Sequence, residues 1–105
     1  MSIINVSTTN LVASAGTCTR STASVTTTAS SALAANANRK RSLLLNPPSA
    51  TSTVILGFDS GVTATTGLPL APGQGWLEEG SIIHTGAFHA LTAAGTGSLL
   101  CFDWS

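Results

Sequence analysis

The stretch "NANRKRSLLLNPPSATSTVILGF", residues 36–58, decides how this chain is read. Three basic side chains, Arg39, Lys40 and Arg41, lead straight into an apolar run. Two prolines then interrupt the chain before a second apolar run. Runs of this length, bounded by turn formers and rich in branched residues, are expected to be strands. "SLLLN" (42–46) and "STVILGF" (52–58) each read as a strand buried on both faces. Pro47 and Pro48 cannot continue a ladder, because proline has no N–H to donate. The two runs are therefore expected to form a hairpin with a wide loop.

Working outward, strand signals recur at residues 21–28, 74–79, 81–86, 87–93 and 97–104. Turns are expected at Pro72-Gly73, Thr85-Gly86 and residues 94–97. Residues 59–75 read as an irregular Gly- and Pro-rich connection. The Ala-rich piece at 28–38 has no apolar stripe at helical spacing, and its asparagines suit a turn. Seven short strands without a helix predict an all-β fold, a small antiparallel β-sandwich or jelly-roll-like barrel over residues 21–105. Residues 1–20 are polar, with scattered apolar anchors Ile3, Ile4, Val6, Leu11 and Val12. They read as an extended N-terminal arm that orders on a neighbouring surface, the alternative being a frayed terminus.

Composition narrows the function. Only 8% of the 105 residues are charged, against about 25% in typical domains. The formal net charge is zero. Such a chain lacks the self-repulsion that keeps monomers apart, so much of its surface is expected to be covered by partners. A hydroxyl-rich soluble monomer is the alternative. All four basic residues (Arg20, Arg39, Lys40, Arg41) precede residue 42, and all four acids (Asp59, Glu78, Glu79, Asp103) follow it. This split suits either pairing within one fold or polar contact between chains. No apolar run is long enough for a membrane helix, and the N-terminus has no basic leader, so neither a span nor a signal peptide is expected. Cys18 and Cys101 are expected to be free thiols, the alternative being a disulfide that staples the two ends of the chain.

Catalytic constellations are scarce. Glu78 and Glu79 are adjacent on a strand and point to opposite faces, so they cannot flank one bond. His84 and His89 sit on either side of an expected turn, but a zinc site needs three or four ligands. No serine lies in a G-x-S-x-G elbow, and "GTGSL" and "PGQG" lack the Lys-Ser/Thr of a phosphate loop. The expectation is no enzyme, no metal and no cofactor. A nucleic-acid surface needs a basic face, often with aromatics for stacking. Here three basic residues stand alone, and Phe58, Trp76, Phe88, Phe102 and Trp104 all lie in the acidic half. The cluster at 38–41 reads instead as an exposed turn opening the strand at 42–46.

Five pieces of the chain carry a resemblance. They are residues 36–46, the strand "VILGF" (54–58), the turn "GLPLAPG" (67–73), "TGAFHAL" (85–91) and "GTGSL" (95–99). Together they resemble a small β-rich module of tailed-bacteriophage virion proteins, over roughly residues 21–104. These are turn and core residues rather than catalytic ones. The resemblance implies a virion structural protein. A single small domain with an arm is similar to a capsid decoration (cement) protein. Such a protein would bind the major capsid protein on the outer capsid surface of the virion as a homo-oligomer, dimer or trimer, after synthesis in the host bacterial cytoplasm. The expected interface residues are Ile3, Ile4, Val6, Leu11, Arg39, Lys40 and Arg41, then Trp76 and Trp104. The alternatives are a receptor- or carbohydrate-binding module of a head or tail fibre, or a tail or connector subunit.

Overall fold

A computed structural model describes residues 16–105. Within them lie eight strands: β1 (Cys18–Val25), β2 (Ser30–Leu33), β3 (Arg41–Leu45), β4 (Val54–Gly57), β5 (Leu68–Leu70), β6 (Gly75–Glu78), β7 (Phe88–Thr92) and β8 (Gly97–Trp104). They form two four-stranded antiparallel sheets, β1-β8-β3-β6 and β2-β7-β4-β5. No helix is present among the described residues. Residues 18–20, read from sequence as the end of the arm, already belong to β1. The expected contacts of Ile3, Ile4, Val6 and Leu11 lie outside the described residues.

The pairing follows a simple rule. β4 pairs with β5, β3 with β6, β2 with β7 and β1 with β8. The chain is thus a ribbon folded in half at the β4–β5 connection. The additional pairs β3–β8 and β4–β7 join alternate ladders into the two sheets. The hairpin expected between residues 42–46 and 52–58 does not form, because β3 and β4 lie in different sheets. Asn46 marks the crossing. Its side-chain amide donates to the carbonyls of Ser52 (2.9 Å) and Leu70 (2.8 Å). Its backbone N–H donates to Gln74 and its carbonyl accepts from Gly73. A short amide side chain can clasp three segments this way, where an apolar residue would leave their carbonyls unpaired. The return turn closes through a 2.9 Å bond from the Gln74 N–H to the Ala71 carbonyl. Gly73 adopts φ +87° there, which the second central position of such a turn requires and a side chain opposes.

Inward positions of both sheets share one core: Val25, Leu33, Leu44, Val54, Leu56, Leu70, Phe88, Ala90, Leu99 and Cys101. On the far side of the second sheet, Ile55 and Leu91 are covered by Val62 from the β4–β5 connection. The connection lies flush on the sheet because residues 57 and 67 are glycines. A Cβ at either would fall within 2.3 Å of Val62 or Ile55. Hence β4 is buried on both faces, as its sequence predicted. The "SLLLN" run is not. Ser42 and Leu44 are fully buried, whereas Leu43 and Leu45 are only half-buried on the opposite face. Three further expectations fail. Residues 81–86 form a loop instead of a strand, β2 occupies the stretch read as a turn, and β5 lies within residues 59–75, read as an irregular connection.

A candidate docking face on the first sheet

Register fixes what the outer face of the first sheet carries. Asp103 and Ser42 share an inward row, as do Cys101 and Leu44. Side chains alternate along each strand, so the intervening positions point outward. One outward row holds Cys18, Trp104 and Arg41; the next holds Arg20, Phe102, Leu43 and Leu77; the third holds Thr22, Leu100, Leu45 and Gly75. Six large apolar side chains therefore lie together: Leu43, Leu45, Leu77, Leu100, Phe102 and Trp104. Leu77 is 49% exposed and the others are half-buried by one another. They lie on three strands, β8, β3 and β6, spaced about 4.8 Å apart, which makes the stripe roughly 10 Å wide. The second sheet covers its own outer apolar residues with Val62; among the described residues nothing covers the first.

Charge sits at one end of this stripe. The Arg41 guanidinium lies 4.9 Å from the centre of the Trp104 ring, and its Nε is 3.2 Å from Glu79. The Trp104 and Phe102 rings stack with centres 6.3 Å apart. Arg41 and Trp104, both expected at an interface, thus come together on the outward face. Lys40 is exposed beside them, its N–H bonded to the Trp104 carbonyl.

Arg39 and Trp76 are placed elsewhere. Arg39 is 4% exposed, so the expected exposed turn fails at this residue. All five of its N–H donors are engaged. Nε and one Nη2 proton grip the Asp103 carboxylate (3.1 and 3.3 Å), and the other Nη2 proton reaches the Ala34 carbonyl (2.7 Å). Nη1 donates to His84 (2.7 Å) and Gly86 (3.1 Å). Its plane also lies 5.4 Å from the Phe88 ring centre, and Asn36 donates a further bond to Asp103. A fork with five fixed donors can hold two loops and a strand end at once, which a lysine cannot. Trp76 shares the inward row with Leu44, packs against the core, and donates its indole N–H to Glu78 (3.1 Å). Glu78 in turn accepts from the His84 N–H (2.8 Å), so it too is structural. The two charge-bearing halves of the sequence are therefore tied within the chain by Arg39–Asp103 and Arg41–Glu79.

The histidines do not meet as a ligand pair. His84 is packed edge-on between Phe58 and Phe88, and His89 sits mid-strand on β7, opposite Gly57. Among the described residues no three His, Cys, Asp or Glu side chains converge on a metal-sized space. Both cysteines are free, Cys18 exposed and Cys101 buried. Burial pushes the Cys101 thiol up to about 11, with Arg39 opposing that shift and Asp103 adding to it. No helix is long and apolar enough to cross a membrane among the described residues.

Sequence reasoning missed Leu43, Leu45, Leu77, Leu100 and Phe102 as surface candidates. The signal was present. In "GSLLCFDW" apolar residues occupy both parities of the strand, which a one-sided core does not require. Comparison with protein-family models, with curated proteins and with solved structures finds no match to the chain.

Proposed function

We propose that this chain is a non-catalytic virion structural protein, a capsid decoration subunit whose first sheet seats on the major capsid protein. The observation that carries this reading is the apolar stripe of the first sheet, which no described residue covers and which the Arg41–Trp104 pair flanks. A contiguous apolar face on a chain with 8% charged residues can be buried without desolvating many ions. The strand order supports the reading at the level of fold. Two four-stranded antiparallel sheets built from a folded ribbon suit the jelly-roll reading, and jelly rolls recur in viral capsid domains. Fold alone does not fix function, so the sequence resemblance and the face carry the rest. The N-terminal arm, with Ile3, Ile4, Val6 and Leu11, adds a second tether. Weak contacts on one particle then combine through effective concentration. Its place is the outer capsid surface, after synthesis in the host cytoplasm.

The test is co-sedimentation of the purified chain with undecorated shells of the phage that encodes it. Saturable binding is expected, and Leu43→Glu or Phe102→Glu should abolish it while leaving the fold intact. The reading fails if the wild-type chain stays in the supernatant at saturating concentrations. Binding to a glycan panel in place of shells would point to the receptor-binding alternative. Assembly into a free ring would point to a tail or connector subunit.

A further inference from the structure

We propose that β1 is a self-pairing edge through which two copies join their first sheets, antiparallel, about a two-fold axis normal to the sheet. The proposal stands independently of what the docking face binds.

The four sheet edges are unequal. β5 has three residues and contains Pro69; β2 has four and carries a register shift between Ser31 and Leu33; β6 has four. Each is short or interrupted, which is how proteins blunt an edge. β1 is different. It runs for eight residues without proline, lysine or a bulge, and every residue from 18 to 22 is exposed. Among the described residues it is paired on one side only, with β8.

Hydrogen bonding shows which groups are open. Thr17 and Ser105 exchange both backbone bonds, at 2.9 and 3.1 Å. Alternation along an antiparallel ladder then turns Thr19, Ser21 and Ala23 toward β8. It leaves the N–H and C=O groups of Cys18, Arg20, Thr22 and Ser24 facing the free edge. A two-fold normal to the sheet must pair residues that point to the same face, and it must use these open groups. A register centred on Ser21 does both. It places Cys18 opposite Ser24 of the second copy and Arg20 opposite Thr22 of the second copy, so every open group is bonded. Centring on Thr22 leaves Cys18 without a partner, and centring on Arg20 sets two guanidinium groups against each other. The occupant that satisfies this edge completely is therefore β1 itself.

The geometry has a consequence for the docking face. The axis keeps both outward faces on one side, so the two apolar stripes flank a central seam of paired β1 strands that carries Cys18, Arg20 and Thr22. One stripe roughly 10 Å wide is small for a stable protein interface of about 800 Å² per partner; two stripes on one continuous face offer about twice the area.

The test uses the full chain carrying Ser24→Cys. Under mild oxidation the new thiol should bond Cys18 of the second copy, giving a covalent dimer on a non-reducing gel and a Cys18-to-24 cross-link by peptide mass mapping. Adding Cys18→Ser should remove that cross-link. Independently, Thr22→Pro deletes an open-edge N–H without touching the β8 ladder. It should weaken dimerisation of the otherwise wild-type chain about tenfold or more in sedimentation equilibrium. A wild-type chain that is monomeric at every concentration overturns the proposal. So does a cross-link that Thr22→Pro leaves unchanged, and so does dimerisation that appears only after residues 1–15 are deleted, which would assign the edge to the chain's own N-terminal segment.

Discussion

Removing the Arg39 side chain should destabilise this protein about as much as truncating a large side chain of its core. In Arg39→Ala, Asp103 stays near the sheet end with its strongest partner gone, and the carbonyls of Ala34, His84 and Gly86 lose their donor. Breaking one partner of a buried ion pair costs about 3–5 kcal/mol, because the remaining charge is left uncompensated. Against a total stability of about 5–15 kcal/mol, that is a third or more of the whole for a weakly stable domain. For a domain of this size each kcal/mol moves the midpoint by roughly 4–8 °C, so a fall of about 12 °C or more is expected in a thermal melt. Urea titration supplies the free energy directly. Asp103→Asn should cost less, since an amide still accepts from the guanidinium, and the double variant should cost far less than the sum of the two singles. A loss below about 1 kcal/mol for Arg39→Ala, or strict additivity, would refute the claim that this guanidinium clamps the loops.

Three other outcomes follow from single sites. Thiol titration of the native protein should find one fast cysteine, Cys18, with Cys101 reacting only on unfolding, because the former is exposed and the latter buried. Cys101 also sets an alkaline limit. Its folded pKa, about 11, lies above the usual 9.0, so the unfolded chain releases the proton first; stability is complete below about pH 9 and falls as pH rises toward 11. Urea midpoints measured across that range should lose this slope in Cys101→Ala, and an unchanged slope would count against burial as its cause. Asn46→Ala should destabilise by roughly 1–3 kcal/mol in the same titration, since it strips the donors from the Ser52 and Leu70 carbonyls. A change near zero would mean water replaces the clasp.

The fold class was legible because short apolar runs and proline-glycine turns are local signals. β4, β7 and β8 fall where the runs predict, and Pro72-Gly73 turns as expected. What sequence could not supply was partnership between distant segments. Residues 42–46 and 52–58 look like a hairpin because they are neighbours in sequence, yet the side chain of Asn46 sends the chain across to the other sheet. β2 was missed because Ser30, Ser31 and Ala32 have little strand propensity of their own and are held by pairing with β7. Of the basic cluster, read as an exposed turn, Arg41 does reach the surface, where it lies against Trp104, but Arg39 is buried. Its burial depends on Asp103, 64 residues away, and on carbonyls from two loops. Charge on a side chain reads as exposure unless the partners that neutralise it are known. The outer apolar stripe was hidden for the opposite reason. Leu43, Leu45 and Leu100 look like core residues until register separates them from Leu44 and Leu99.

The central claim is that the outer face of the first sheet exists to be covered by another protein. Hydroxyl-radical footprinting of the chain, free and then bound on phage shells, measures that coverage residue by residue. Strong protection is predicted at Leu43, Leu77, Leu100, Phe102 and Trp104, with Phe58 and Asp59 on the second sheet's side labelled equally in both states. Protection confined to Phe58 and Asp59, with the leucine stripe still open on the particle, would contradict the account.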